Sequence, residues 1–463
     1  MSQVNSPKAT GLDATGGGGV VPRMILVDDN IRDSGGHYYE LAYLLLAGAE
    51  QLGYRCLLAT NRDFEPNRIA ARDWEVHHVF GSRRLVRWSL GVDGHSRCQR
   101  DLDGKPICRS PIEKQAIRLT DWFGPAEKRP TRMLSRWADD LARLLGKVQP
   151  TRSDCLLVNT GDDFALLALA RAMRQATIPP IRIDVLFHFA LYESGQPDRA
   201  DRLRLMGRQI RAAMDSLRPH DVYLHATTDS LADQMRELEC GYPIRSVPYP
   251  TRPCDPASGS GSEPLRAIIA GMPRAEKGKD AMTAVLGGVE GLLKAGRYRL
   301  SMQLPADRWR AIVPPSLQRI GEESMPGEST RALEIITRNL DTETYHRWLS
   351  MADVGLFLYE PARYVARCSG VLLEMLARGI PVIVPDGCWL ASQVRLAGGH
   401  RSIGFIYQDR AEIPDLMRQL AKRREEIQSR AKAYAMKIAE RHNGRNSLLS
   451  MGIEAAGQRQ QAA

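Results

Sequence analysis

The densest ionic chemistry in the sequence lies in Gly271-Met272-Pro273-Arg274-Ala275-Glu276-Lys277-Gly278, just after the apolar run Leu265–Ala270. A β-rich run ending in glycine reads as a strand reaching the carboxyl edge of a parallel sheet, where open α/β folds bind ligands. Arg274 and Lys277, three residues apart at that edge, can hold a pyrophosphate without a metal. The other reading is a solvated loop with ordinary surface charges. A second stretch, Cys368-Ser369-Gly370-Val371-Leu372-Leu373-Glu374, opens a short helix with Ser369 as N-cap, and Gly379 and Pro381 mark its end. Such a start seats a phosphate. Glu374, a carboxylate in an otherwise apolar helix, wants hydroxyl donors, and a ribose would supply them. Otherwise it faces solvent or pairs with an arginine.

Three further clusters are weaker alone. Ser34-Gly35-Gly36-His37 follows the apolar run Met24–Val27, and consecutive glycines at a strand-to-helix turn let a ligand approach the amides. Without a full G-x-G-x-x-G and an acidic partner, a dinucleotide fingerprint is disfavoured. His188, in Phe187-His188-Phe189, ends another strand and could orient a substrate hydroxyl, although a lone histidine there is more often structural. His225 stands at a comparable strand end. Asp28-Asp29-Asn30 resembles a metal site at first sight, but adjacent acids at a strand end more often cap turns. No clustered His or Cys completes a ligand set, so no metal is expected.

The elements that must position these groups alternate. Strands are expected at Met24–Val27, Tyr54–Ala59, Cys155–Val158, Ile183–Phe187, Val222–Leu224 and Arg245–Val247, with a helix from about Gly36 to Leu52 and helical patterns between the others. Pro248-Tyr249-Pro250, Pro253, Pro256 and a Ser-Gly run then break the pattern, which predicts a linker over 251–264. Beyond it the alternation resumes. Met282, Val285, Leu286, Val289, Leu292 and Leu293 have helical spacing, and strands are expected at Tyr298–Leu304, Val354–Leu358 and Pro381–Pro385. Further helices are read at Thr342–Ser350, Gly370–Arg378 and Glu412–Arg441. Repeated βα units mean parallel sheets covered by helices. The expected architecture is therefore two Rossmann-like α/β domains, 23–250 and 265–440, facing a central cleft. Residues 1–22 read as a disordered leader and 441–463 as a C-terminal tail, frayed from Gln458 on.

The 463 residues suit two domains, and 43% hydrophobic with 25% charged content excludes collagen-like, coiled-coil and wholly disordered classes. Residues 83–136 hold 13 Lys and Arg against 6 Asp and Glu, so +7 of the net +10 sits in one insertion of the first domain. That segment suits an anionic membrane surface or an acidic acceptor. Its tryptophans come without a recognised binding motif, which disfavours nucleic acid. Eight scattered cysteines with no C-x-x-C pair read as reduced thiols in a cytoplasmic protein. No apolar run approaches the roughly 18 residues of a membrane span.

Taken in order, these features resemble the retaining nucleotide-sugar glycosyltransferases of the GT-B fold. The shared pattern is a Gly-Gly turn, a strand-end His188, Pro-Tyr-Pro before the linker, G-x-x-R-x-E-K-G, Ala352-Asp353-Val354, then S-G-x-x-x-E-x-L-A-x-G-x-P-V-I. The resemblance implies an enzyme that moves a sugar from a nucleoside diphosphate to a hydroxyl acceptor, saccharide or lipid-linked, with retention and without metal or cofactor. By it, Arg274 and Lys277 neutralise the diphosphate, and the backbone at Ser369, Gly370 and Val371 holds the distal phosphate. Glu374 binds the ribose, Gly35 and Gly36 face the sugar, and His188 contacts the sugar near the reacting carbon. Many members carry a second glutamate eight residues before the ribose-binding one. Here that position is Ala366, followed by Arg367, which adds positive charge near the phosphates. The competing readings are a GT-B protein that binds nucleotide sugar without turnover, an epimerase on the same fold, and a nucleic-acid or anionic-surface binder acting through 83–136.

Overall fold

A computed structural model describes residues 21–32, 37–65, 72–81, 99–100, 106–107, 112, 115, 130–195, 199–257, 264–399 and 401–462. The leader, Gly35 and Gly36, and most of the basic segment lie outside these. Two seven-stranded parallel sheets form the frame. In the first, the spatial order is Glu75–Phe80, Arg55–Asn61, Arg23–Val27, Cys155–Gly161, Arg182–Phe187, Asp221–Ala226 and Ile244–Ser246. In the second it is Gly321–Glu323, Leu333–Ile336, Tyr298–Gln303, Leu265–Ile269, Val354–Leu356, Val382–Pro385 and Gly404–Tyr407. The architecture is thus α/β with two Rossmann-like lobes.

Central strands such as Met24-Ile25-Leu26-Val27 are apolar throughout because helices cover both faces of each sheet. The expected helical stripe of the second lobe holds, with Met282, Val285, Leu286, Val289, Leu292 and Leu293 all buried on the helix Met282–Lys294. In each sheet the strand order reverses beside the lobe's first strand. The crevice beyond the carboxyl ends of those strands is where such sheets place ligands.

Six strands escaped the sequence reading: Glu75–Phe80, Gln99–Arg100, Pro106–Ile107, Gly321–Glu323, Leu333–Ile336 and Gly404–Tyr407. Gly321–Glu323 is a three-residue charged edge, Glu75–Phe80 is an edge strand of mixed polar and apolar residues, and the others are two to four residues long, with no period long enough to register. The run Glu412–Arg441 divides at Arg423 into the helices Ile413–Lys422 and Arg424–Arg441.

The C-terminus also differs from expectation. After Arg441 the chain returns to the first lobe, where the helix Gly444–Met451 crosses the first helix, His37–Gln51. Glycines make this crossing possible, since a Cβ on Gly48 would lie 2.3 Å from Gly444 C and one on Gly444 would lie 1.9 Å from Leu44 O. Arg182 donates to Met451 O at 2.8 Å and Gly452 O at 2.6 Å, and Tyr54 Oη donates to Glu454 O at 2.8 Å. The fraying expected from Gln458 is overturned. Ala456–Ala462 is helical, and Arg459 Nε donates to Ser153 O at 2.9 Å, which anchors the last turns.

Candidate functional site

The loop after the strand Leu265–Ile269 is shaped by two glycines with positive φ. Gly271 (φ 89°) turns the chain out of the strand, with its amide donating to Gln303 Oε1 at 3.0 Å. Gly278 (φ 76°) closes the loop against the neighbouring strand end, where a Cβ would lie 2.0 Å from Leu358 O. Between them Ala275–Lys277 forms one 3-10 turn. This geometry folds Lys277 back so that its Nζ lies over Gly271, 2.7 Å from where a Cβ would stand. The same ammonium sits 5.6 Å from the centroid of the Tyr359 ring. It has no carboxylate or hydrogen-bond partner among the described residues. Burial lowers its pKa, and the charges of Arg274 and Arg367 push it further down. Arg274 is more open, 63% exposed at the side chain and only 3.9 Å from Glu276.

Facing this loop is the helix Gly370–Ala377. Ser369 caps it as expected, its Oγ accepting from Leu372 N at 3.2 Å. Leu372, Leu373, Met375, Leu376 and Ala377 are buried in the lobe, while Gly370, Val371 and Glu374 are half-buried on the remaining side. Glu374 accepts from Tyr345 Oη at 3.2 Å. Arg378 does not pair with its carboxylate but donates Nη1–H to its main-chain oxygen at 2.8 Å. Burial raises the Glu374 pKa to about 7, and the Glu40 carboxylate from the first lobe adds to the rise. Glu40 itself is held by Arg252, whose Nη2 reaches Oε2 at 2.9 Å.

The first lobe presents a different edge. Asp28 Oδ1 accepts from Asn30 N and Nδ2 at 2.9 and 3.0 Å, and Oδ2 accepts from Asn159 Nδ2 and Thr160 Oγ1 at 3.0 and 2.8 Å. Asp29 Oδ1 accepts from Trp137 Nε1 at 3.1 Å. These acids knit strand ends together, and among the described residues no trio of His, Cys, Asp or Glu is placed to hold a metal ion. His188 donates Nε2–H to Asn159 O. Burial drives its pKa to about 4, helped by the charge of Arg367, so the ring is neutral and Nδ1 is the acceptor. Nδ1 of His188, Oδ1 of Asn159 and Oγ1 of Thr227 are buried and have no partner among the described residues. A buried polar atom left without a partner costs roughly 1–3 kcal/mol, which a ligand or water would recover. His225 is elsewhere in the fold. Its Nε2 meets Asp184 at 2.8 Å in a buried group with Arg182, which also binds the returning C-terminus.

The lobes meet through the segment before the capped helix. Thr228 Oγ1 donates to Ala366 O at 2.8 Å, Arg363 lies 3.5 Å from Glu193, and Ser194 N donates to Ala362 O at 3.3 Å. Ala366 is fully buried within the first lobe's core. Arg367 stacks over Phe189 of the first lobe at 5.0 Å and over Tyr364 at 5.3 Å. Tyr249, from the Pro-Tyr-Pro stretch, stands edge-on to His188 with centroids 6.2 Å apart and borders Gly370, where a Cβ would lie 3.5 Å from its ring.

This two-lobed arrangement matches solved structures along almost its whole length. Sucrose-phosphate synthase from Thermosynechococcus elongatus superposes with a TM-score of 0.60 at 14% identity, covering 96% of this chain and 100% of that one. The GT-B architecture is the one these proteins share. The protein has the GT-B fold. A UDP-forming α,α-trehalose-phosphate synthase from Burkholderia vietnamiensis shares this fold at TM-score 0.53 and 14% identity, covering 95% and 100% of the two chains. So does HepE of Anabaena, solved in complex with UDP, at 0.53 and 11%, covering 93% and 99%. No family profile and no curated protein matches the sequence.

Within the GT-B frame the cleft gathers Arg274, Lys277, Arg367, Ser369, Gly370, Val371 and Glu374 from one lobe and His188 from the other. Gly35 and Gly36 lie outside the described residues. The sequence reading missed Tyr249, Tyr345, Asn159 and the Glu40–Arg252 pair. Only Tyr249 carried a signal, its place between two prolines.

Proposed function

We propose that the protein is a glycosyltransferase that moves a sugar from a nucleoside-diphosphate sugar to a hydroxyl acceptor, with retention at the anomeric carbon and without a metal. The observation that carries this is the Lys277 ammonium, half-buried and without an anionic partner among the described residues, at a GT-B sheet edge beside a capped helix start. A cation withdrawn from water and left unpaired is unfavourable until an anion arrives, and a diphosphate spans Lys277, Arg274 and the amides at Gly370 and Val371. Glu374 then accepts from the ribose hydroxyls. The complex of HepE with UDP supports a ligand of this class on this fold.

During transfer the bond from the anomeric carbon to the leaving phosphate oxygen breaks, and negative charge grows on the diphosphate. Fixed cations and amides stabilise that charge more in the transition state than in the ground state. The acceptor oxygen bonds to the anomeric carbon on the departing face, and its proton passes to the released phosphate oxygen. His188 Nδ1, its tautomer set by the Asn159 carbonyl, accepts from a donor-sugar hydroxyl and holds the ring in place. The acceptor, a saccharide or a lipid-linked hydroxyl, binds on the first lobe.

The test is release of nucleoside diphosphate from a panel of nucleotide sugars, with and without pooled saccharide and lipid-linked acceptors. Acceptor-dependent release with a product of retained anomeric configuration is expected, and it should survive chelators. Binding without release under every acceptor would instead establish a nucleotide-sugar binder, the reading that Ala366 favours.

A further inference from the structure

We propose that the transferred sugar carries a carboxylate, so that the donor is a nucleoside-diphosphate hexuronate, and that Arg367 selects it. The inference rests on the nucleotide-sugar reading above and adds the class of sugar. Arg367 is surplus to the phosphate grip. A diphosphate is already met by Lys277, Arg274 and the helix start, while Arg367 stands farther toward the first lobe, over Phe189, the residue after His188. Its charge acts on both Lys277 and His188, so it is close to the phosphate end and to the histidine end of the cleft alike. A sugar reaching from the diphosphate to His188 passes it.

The guanidinium is also built to receive something planar and anionic. The rings of Phe189 and Tyr364, 5.0 and 5.3 Å from it, restrict its movement, which lowers the entropy lost when its fork binds. No hydrogen bond or ion pair to it exists among the described residues. Glu193 pairs instead with Arg363, Glu360 with Arg410, and Glu276 lies 3.9 Å from Arg274. Position 366 adds no acid, because Ala366 is packed into the first lobe and its carbonyl accepts from Thr228. A neutral hexose offers the Arg367 guanidinium no anion. A hexuronate carboxylate answers it through a bidentate pair.

Calorimetric titration with UDP and GDP establishes which base binds. If neither binds, ADP and dTDP are titrated in the same way, and binding of none of the four overturns the nucleotide-sugar reading and this one together. The base that binds is then tested as its hexose and hexuronate forms, UDP-glucose against UDP-glucuronate or GDP-mannose against GDP-mannuronate. The hexuronate is expected to bind about tenfold tighter, an advantage that Arg367→Gln abolishes and Arg367→Lys partly keeps. In Arg367→Gln the affinity for the bare nucleoside diphosphate should fall less than the affinity for the hexuronate. Equal affinity for the two sugars overturns the proposal while leaving nucleotide-sugar transfer intact. Equal loss of bare nucleotide and hexuronate in the variant overturns it as well, by making Arg367 a third phosphate ligand. Enhancement of bare-nucleotide binding by glucose 6-phosphate that depends on Arg367 would place the anion on the acceptor and also overturn it.

Discussion

The two lobes share a plan, seven parallel strands with a reversal of order beside the first strand, yet they present opposite chemistry to the cleft. At the first lobe's edge, Asp28 and Asp29 are locked in hydrogen bonds to Asn30, Asn159, Thr160 and Trp137. His188 there is neutral. At the second lobe's edge, Lys277 and Arg367 carry charge with no counter-ion among the described residues. A shared plan therefore does not decide what each lobe binds. Satisfied acids hold strand ends together, and unsatisfied cations wait for an anion.

The sharpest way to break this contrast is Lys277→Ala. Donor turnover should fall about 10²- to 10³-fold with an unchanged thermal midpoint. Normal turnover would remove the lysine from the account. The mirror experiment is Asp28→Ala, which should cost about 2–3 kcal/mol of stability because Asn159 and Thr160 lose a buried acceptor. Nucleotide affinity in that variant should stay within about twofold of the wild type, as measured by titration, if Asp28 is structural.

The pH dependence of nucleotide binding separates the lobes further. Glu374, with a pKa raised to about 7, must ionise to accept fully from ribose hydroxyls. Affinity should thus fall about fivefold as pH drops from 8 to 6, and Glu374→Gln should flatten that limb. Lys277 has a lowered pKa, so its charge and the affinity are lost on the alkaline side earlier than for an ordinary lysine. The smallest effect concerns the lobe contact. Thr228→Val removes the bond to Ala366 O together with the helix cap that Thr228 Oγ1 gives Leu231 N, and should lower stability by about 1–2 kcal/mol, read by thermal unfolding.

The legible parts of the molecule were local. Alternating apolar runs disclosed both lobes, because strands buried on two faces must be apolar throughout. Ser369 and Gly379 disclosed the capped helix, because capping is decided by residues a few positions apart. What stayed hidden depends on contacts distant in sequence. Nothing near Gly444 announces that Leu44 O lies against it. Nothing near Glu374 announces Glu40 across the cleft. Ala366 read as a missing carboxylate, and only the fold shows that this position is packed inside the other lobe. Polar composition suggested fraying after Gln458, whereas Arg459 reaches back to Ser153.

The most direct measurement is calorimetric titration of the wild-type protein and Lys277→Ala with a nucleoside diphosphate and its matching monophosphate. The diphosphate should bind the wild type about 100-fold tighter, and the variant should lose most of that difference while its monophosphate affinity changes little. Equal affinity for both ligands in the wild type, or an unchanged ratio in the variant, would contradict a diphosphate grip at the second lobe's edge.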